Sequence, residues 1–389
     1  MAKVFLKKKI TGRIADGHPW VYSNEIGDIV GDCKSGDVVD LFSHLGSFIG
    51  RGFINTEAQI KVRILVKENI SIDANFISQR IKEAWNYRQQ LGLIENCRLV
   101  HSESDGLPGL VIEKFNDYFV IQTLNVGIDL WKDTIVQTLN TIFSPKGIYE
   151  RNDAPVRQIE GLPLQKGFLS SKFDTLIKIK ENGIDLLVDI ENGMKTGYFL
   201  DRNDVRKEII GLVKNARVLD AFCYTGSFGI LAAKSGAKSV YGIDFMPDVI
   251  NLAKQNVVLN KLEKNCNFEC ENAFDELKRL TKEQACFDMV ILDPPTFVKN
   301  KENLDRALSG YKEINLRALK LLAPKGYLVT ASMSNLINQE LFLNTIKDAA
   351  KDAKRQIKQI YFGTQTPDHS ILWSMPHSEY LKFLIVQVL

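Results

Sequence analysis

Three apolar runs in the second half of the chain each end on an aspartate, and this pattern constrains the fold more than any other feature. Val218-Leu219-Asp220 leads into the turn Ala221-Phe222-Cys223-Tyr224-Thr225-Gly226 and then into Ser227-Phe228-Gly229. Ser239-Val240-Tyr241-Gly242-Ile243 ends on Asp244, and Phe287-Asp288-Met289-Val290-Ile291-Leu292 runs into Asp293-Pro294-Pro295. Apolar strands alternating with helices predict a parallel sheet covered on both faces. In such sheets ligands bind outside the carboxyl ends of the strands. Gly226 and Gly229 allow backbone to approach a ligand closely, and the spacing of Asp244 suits a carboxylate accepting from a ribose diol. Two prolines fix φ and end the strand, which holds Asp293 and the carbonyls beside it rigidly. Helix capping is the plain alternative for Asp220 and Asp244, but two successive strand-end acids at α/β spacing exceed a capping habit. The turn is not GxGxxG, which argues against a nicotinamide dehydrogenase.

Around this core the chain divides. At roughly 150 residues per domain, 389 residues predict two or three. Residues 1–72 carry short strands at 21–26, 37–42, 47–54 and 59–66, broken by Gly/Asp turns, as in a small barrel. Residues 73–188 open with a helix over 74–92, stopped by Gly92, and continue as strand pair, helix and strand pair, an α+β pattern. Residues 189–389 alternate strand and helix and close on a strand pair at 356–362 and 380–389.

The charge balance, 50 Lys+Arg against 47 Asp+Glu, excludes a polycation that coats nucleic acid but leaves room for a local patch. Residues 1–13 supply one, with Lys3, Lys7, Lys8, Lys9 and Arg13 and no acid, and with His18, Trp20, Tyr22, Arg51 and Arg63 nearby. Cations interleaved with aromatics suit phosphate neutralisation and base stacking; a lysine edge that blunts strand pairing is the bland alternative. Six cysteines without a CxxC pair fit reduced thiols in a cytoplasmic protein. The N-terminal stretch has no apolar signal-peptide core, and no run of about 18 apolar residues predicts a membrane span. His101 and His369 lack metal-spaced partners, so no metal is expected.

Together, the acid-ended strands, the Asp-Pro-Pro strand and the closing strand pair resemble a class I S-adenosylmethionine-dependent methyltransferase. More narrowly, nearly the whole chain resembles the large-subunit (23S) ribosomal RNA cytosine-carbon-5 methyltransferases. The carrying blocks are Gly17-His18-Pro19-Trp20-Val21-Tyr22, Asp105-Gly106-Leu107-Pro108-Gly109-Leu110, Glu150-Arg151-Asn152-Asp153 and Lys195-Thr196-Gly197-Tyr198-Phe199-Leu200-Asp201-Arg202. The resemblance implies an α/β, Rossmann-like methyltransferase domain over 189–389, an N-terminal PUA-like β-barrel domain over 1–72 and a central α+β domain over 73–188. It also implies S-adenosyl-L-methionine as cofactor, ribosomal RNA and not DNA as partner, and a homodimer. Its cofactor cleft falls on Tyr198, Asp220, Phe222, Tyr224, Thr225, Gly226, Ser227, Phe228, Asp244, Phe245, Asn272, Ala273 and Asp293. Asp220 and Gly226 would line the methionine side and Asp244 would hold the ribose. Asn272 stands where an acid usually accepts from the adenine amino group. Asp293, Pro294 and Pro295 would face the transferred methyl, with Tyr198 and Arg202 near the mouth. Lys7, Lys8, Lys9, Arg13, His18 and Trp20 would contact RNA.

One departure bears on the chemistry. Carbon 5 of cytosine needs a thiolate on carbon 6 to become nucleophilic. The family places that thiol in a Ser-Cys-Ser setting, where this chain has Ser332-Met333-Ser334, and the position after Pro-Pro is Thr296. Cys223 is the only thiol expected at a strand's carboxyl end. Cys266, Cys270 and Cys286 are expected on the far side of strands or in turns. Three readings stay open: carbon-5 methylation through another thiol, exocyclic amino methylation at Asp-Pro-Pro, and a cofactor-binding RNA-binding protein without turnover.

Overall fold

The computed structural model describes residues 1–8, 12–298 and 301–389. Lys9, assigned above to RNA contact, lies outside the described residues. Chain contacts define two compact units: residues 1–177, 188–200 and 367–378 form one, and residues 178–187, 201–366 and 379–389 the other.

In the first unit a six-stranded sheet runs in the order Trp20–Tyr22, Ile60–Val66, Phe48–Ile54, Val38–Phe42, Lys3–Leu6, Ile26–Val30. Alternation drives it: Val4, Leu6, Val39, Leu41, Ile54 and Val62 turn inward and are buried. Lys3–Leu6 lies between two partner strands, so the idea of a lysine-blunted edge fails for this segment. The single strand expected over 21–26 is broken by a short turn, Ser23–Glu25. Glu25 causes the break: its carboxylate accepts from the Tyr22 amide at 2.7 Å and from Arg13 at 2.7 Å, folding the chain back. A second, five-stranded sheet spans Asn96–His101 to Gln165–Phe168. The helix Ala74–Gln90 starts where Asp73 accepts from the Phe76 amide. It buries Ile77, Ile81 and Ala84, and Gly92, at φ +73°, ends it.

In the second unit we label the strands β1 (Arg217–Ala221), β2 (Ser239–Asp244), β3 (Cys266–Cys270), β4 (Phe287–Leu292), β5 (Leu322–Ser332), β6 (Ile357–Gly363) and β7 (Lys382–Val388). Their order is β3-β2-β1-β4-β5-β7-β6. The first five are parallel, and β7 runs antiparallel to β5 and β6. Helices α1 (Ser227–Lys234), α2 (Pro247–Leu259), α3 (Ala273–Lys282), α4 (Leu304–Leu321) and α5 (Gln339–Asp352) connect them. Strand order reverses beside β1, with β2 on one side and β4 on the other, so the crevice of a doubly wound sheet opens there. Leu219, Ala221, Val290, Leu292 and Leu328 bury one sheet face against α3, α4 and α5. Among the described residues, no helix is long and apolar enough to cross a membrane.

Candidate active site

Asp220, the last residue but one of β1, is almost fully buried. Its Oδ2 accepts from the Gly229 amide at 2.8 Å, and its Oδ1 has no partner among the described residues. Burial pushes this carboxyl up to about 8, against the pull of the Gly229 amide. The loop after it is wound through the left-handed region: Phe222 has φ +62°, Tyr224 +51° and Gly226 +82°. Two bulky residues in that region store backbone strain, a habit of ligand loops. Backbone contacts hold the strain in place. Cys223 N donates to Ile243 O at 3.0 Å, and Tyr224 N donates to Asp244 Oδ2 at 3.1 Å. A side chain at Gly226 would put its Cβ 2.9 Å from Phe268 Cζ, so the close packing requires glycine. The other oxygen of Asp244 accepts from Met246 N at 3.2 Å. Burial raises this carboxyl too, opposed by the amides of Met246, Tyr224 and Phe245. Three amides leave about one of the carboxylate's four lone-pair sites for a ribose hydroxyl.

Beyond β2 the surface turns aromatic. Phe222, Phe274 and Phe297 form a triangle of rings 5.6 to 6.3 Å apart, with Tyr311 4.6 Å behind Phe297. Phe245, at the tip of β2, is 62% exposed. Asn272 caps α3, its Oδ1 accepting from Phe274 N at 2.9 Å and Asp275 N at 3.3 Å. An adenine amino group would share that oxygen, whereas Asn272 Nδ2 complements a ring nitrogen. Ala273 and Ser227 are buried. Phe228 packs inward, stacked on Phe383 at 5.9 Å with Arg206 over its face. The Thr225 hydroxyl is buried without a partner among the described residues.

On the β4 side the charges belong to side chains. Arg202, 2% exposed, donates from Nε to Asp293 Oδ2 at 2.5 Å, from Nη1 to Asp201 Oδ1 at 2.6 Å, and from Nη2 to the Met333 sulfur. Tyr380 donates to the other Asp201 oxygen at 2.9 Å. Burial works against the charge on Arg202, but the two aspartates more than offset it and raise its proton affinity. Burial lifts Asp293, partly countered by Arg202. Asp293 Oδ1 has no partner among the described residues. Pro294 is buried and Pro295 exposed.

The orphaned oxygens, the strained loop and the aromatic cluster are compatible with a zwitterionic nucleoside, whose amino-acid end would meet Asp220, its diol Asp244 and its purine an aromatic surface. The second unit therefore brings together Asp220, Phe222, Tyr224, Thr225, Gly226, Asp244, Phe245, Asn272 and Asp293, and Tyr198 falls in the first unit. Sequence reading named Arg202 but missed Asp201, Tyr380 and Lys382, because the links Tyr380–Asp201 and Lys382–Ser334 join residues far apart along the chain and leave no local signal. It also misplaced a thiol. Cys270 is the last residue of β3, opposite Asp244, so Cys223 is not the only strand-end cysteine. At ~4.8 Å per strand, three strands put it roughly 14 Å from β4.

In the first unit Arg13 spends its guanidinium on Glu25, the His18 ring and the Trp20 carbonyl. Trp20 donates to Glu103 at 2.8 Å, with Arg63 and His377 beside its ring. Burial and Arg13 push His18 down to about 4, so it is neutral at pH 7 and carries no charge to a phosphate. Lys7 and Lys8 are exposed. Asp368 and His369 are buried struts: Arg88 donates to the Asp368 carbonyl at 2.6 Å, and Arg98 N to its carboxylate at 2.8 Å.

Fold and site together define a Rossmann-like methyltransferase preceded by a PUA-like domain. The "PUA-like domain" family matches residues 4–67 and the "Methyltransferase domain" family residues 212–380. A Streptococcus mutans chain described as a SAM-dependent methyltransferase superposes with TM-score 0.84 over 100% of both chains at 20% identity, a likeness of fold. Ribosomal RNA large subunit methyltransferase I of Shewanella denitrificans is 41% identical over 95% of each chain, and that of Cronobacter sakazakii 37% over 94%. The chain belongs to the ribosomal RNA large subunit methyltransferase I family. It is an S-adenosylmethionine-dependent methyltransferase.

Proposed function

We propose that this protein methylates a base of large-subunit ribosomal RNA, and that the acceptor is an exocyclic amino nitrogen. The ribosomal substrate follows from relatives named for it across nearly their whole length. The atom rests on one observation: the strand-end position beside Arg202 carries Met333, whose thioether cannot become a thiolate. Burial and the neighbouring Asp220 and Asp244 push the Cys223 thiol well above its ordinary value, and Cys270 lies three strands from β4. An amino nitrogen needs no covalent activation.

When bound, S-adenosylmethionine supplies a sulfonium-activated methyl group. Asp220 and the 222–226 loop would hold its amino-acid end, Asp244 its ribose, and Phe245, Asn272 and Phe274 its purine. At the acceptor, Asp293 and the carbonyls of the two prolines accept the amino N–H bonds and aim the nitrogen lone pair outward. The amino nitrogen would take the methyl from the sulfonium and lose one proton, which Asp293 or water would accept. Residues 1–72 would hold the RNA, with Lys7 and Lys8 on phosphates.

The test is mass spectrometry of large-subunit RNA nucleosides from cells with and without the gene. The expected result is a +14 shift on one nucleotide that chromatographs as an N-methylated base. Loss of 5-methylcytosine instead would overturn the choice of atom; no change in any nucleoside would overturn the ribosomal substrate.

A further inference from the structure

Lys382 opens β7, opposite Ser332, the last residue of β5. It is 3% exposed, and the hydrogen bonds of its ammonium go to carbonyls, not to a carboxylate. Its Nζ donates to the Ser334 carbonyl at 2.6 Å and to the Tyr380 carbonyl at 2.7 Å. A buried ammonium is expensive without an ion-pair partner, and burial pushes this one down to about 8 despite Glu379. An apolar side chain could fill the space at lower cost, so the amine does something the fold alone does not need.

The two carbonyls show what. Ser334 follows Met333, whose sulfur accepts from Arg202. Tyr380 donates its hydroxyl to Asp201, which accepts in turn from Arg202. The contacts close a ring: Lys382, the 333–334 loop, Arg202, Asp201, Tyr380, and back to Lys382. Asp293 hangs from this ring through Arg202 Nε alone among the contacts described above.

We propose that Lys382 is a positioning residue for methyl transfer, tying together the two loops that set Arg202 against Asp293. It would act through Arg202 and not on the substrate or cofactor itself. Losing it frees the 333–334 loop and Tyr380 to drift, and Arg202 with them. A misplacement of about 1 Å at a reacting group costs on the order of 100-fold in rate. This inference rests on the role assigned above to Asp293.

The experiment compares wild type, Lys382→Met, Tyr380→Phe and the double variant in single-turnover methylation of large-subunit RNA, with cofactor affinity by calorimetry. Lys382→Met should bind cofactor within about twofold of wild type and transfer methyl roughly 10- to 100-fold more slowly, with RNA half-saturation unchanged. Tyr380→Phe, which removes one hydroxyl and keeps the ring packing, should slow transfer in the same sense. If both break one ring, the double variant is no slower than the worse single. A wild-type rate in Lys382→Met, or losses that simply multiply, would overturn the proposal. Should wild type itself methylate no ribosomal RNA, the proposed function fails first, and the two failures are separable.

Discussion

The two halves of the site are built on different principles. On the β1–β2 side, backbone holds both acids: Gly229 N meets Asp220, and Tyr224 N and Met246 N meet Asp244. On the β4–β5 side, a side chain holds the acid: Arg202 meets Asp293 and leans in turn on Asp201 and Met333. Backbone amides are fixed once the strands and turn form. A guanidinium is fixed only by what surrounds it. The half that would hold the cofactor is thus rigid by topology, and the half that would turn over is rigid only through a side-chain network.

That contrast is sharpest in Arg202→Met. Removing one partner of a buried pair leaves uncompensated charge and costs about 3–5 kcal/mol of stability. We expect methyl transfer to fall by at least about 100-fold while cofactor affinity stays within a few-fold, by single-turnover assay and calorimetry. Equal losses in both would show that the halves are one network and end the comparison.

The same contrast explains what the sequence made legible. Asp220, Asp244 and Asp293 each end an apolar run, and a strand-end acid is a local pattern; so is the glycine spacing of 226 and 229. Asp220 and Asp244 could be read because the backbone that holds them lies within a few residues or on the adjacent strand, and Asp293 because its own apolar run and the two prolines after it mark the strand end, although its partner Arg202 lies far along the chain. Asp201, Tyr380 and Lys382 meet only after β7 has come to lie beside β5, and no window of sequence contains them together. Lys3–Leu6 was hidden for another reason: the strand is only four residues long, and Lys3 on its exposed face and the lysines after it masked the buried pair Val4 and Leu6. Cys270 was misplaced because an exposed edge strand such as β3 lacks the apolar run that marks its end.

A smaller effect separates geometry from charge within the backbone-held half. The Asp220 carboxyl titrates at about 8 when folded and at an ordinary 3.8 when unfolded. Between these values the folded state holds a proton that the unfolded chain has lost, so raising the pH from about 4 to about 8 drains stability. Asp220→Asn keeps an oxygen for the Gly229 amide and cannot ionise. In cofactor-free protein its melting temperature should match wild type near pH 4 and exceed it by several degrees near pH 8. A pH-independent gap would mean that Asp220 is ionised in the fold and that its free oxygen is solvated.

The smallest expected effect concerns Asn272, the one site residue whose cap and whose proposed purine contact compete for a single atom. Its Oδ1 already accepts two amides at the start of α3. Asn272→Ala removes the cap and should cost about 1 kcal/mol of stability. If the side chain only caps, cofactor affinity measured at saturating folded protein stays unchanged. If Nδ2 also donates to the purine, affinity falls a further few-fold. Asn272→Asp then decides between the two atoms. It keeps the cap and favours the positive end of α3, but it exchanges the donor for an acceptor. Stability should hold or rise, and affinity should drop if Nδ2 faces a ring nitrogen or rise if an oxygen faces the adenine amino group. The sign of that one change tells whether the backbone-held half reads the purine through a donor or an acceptor.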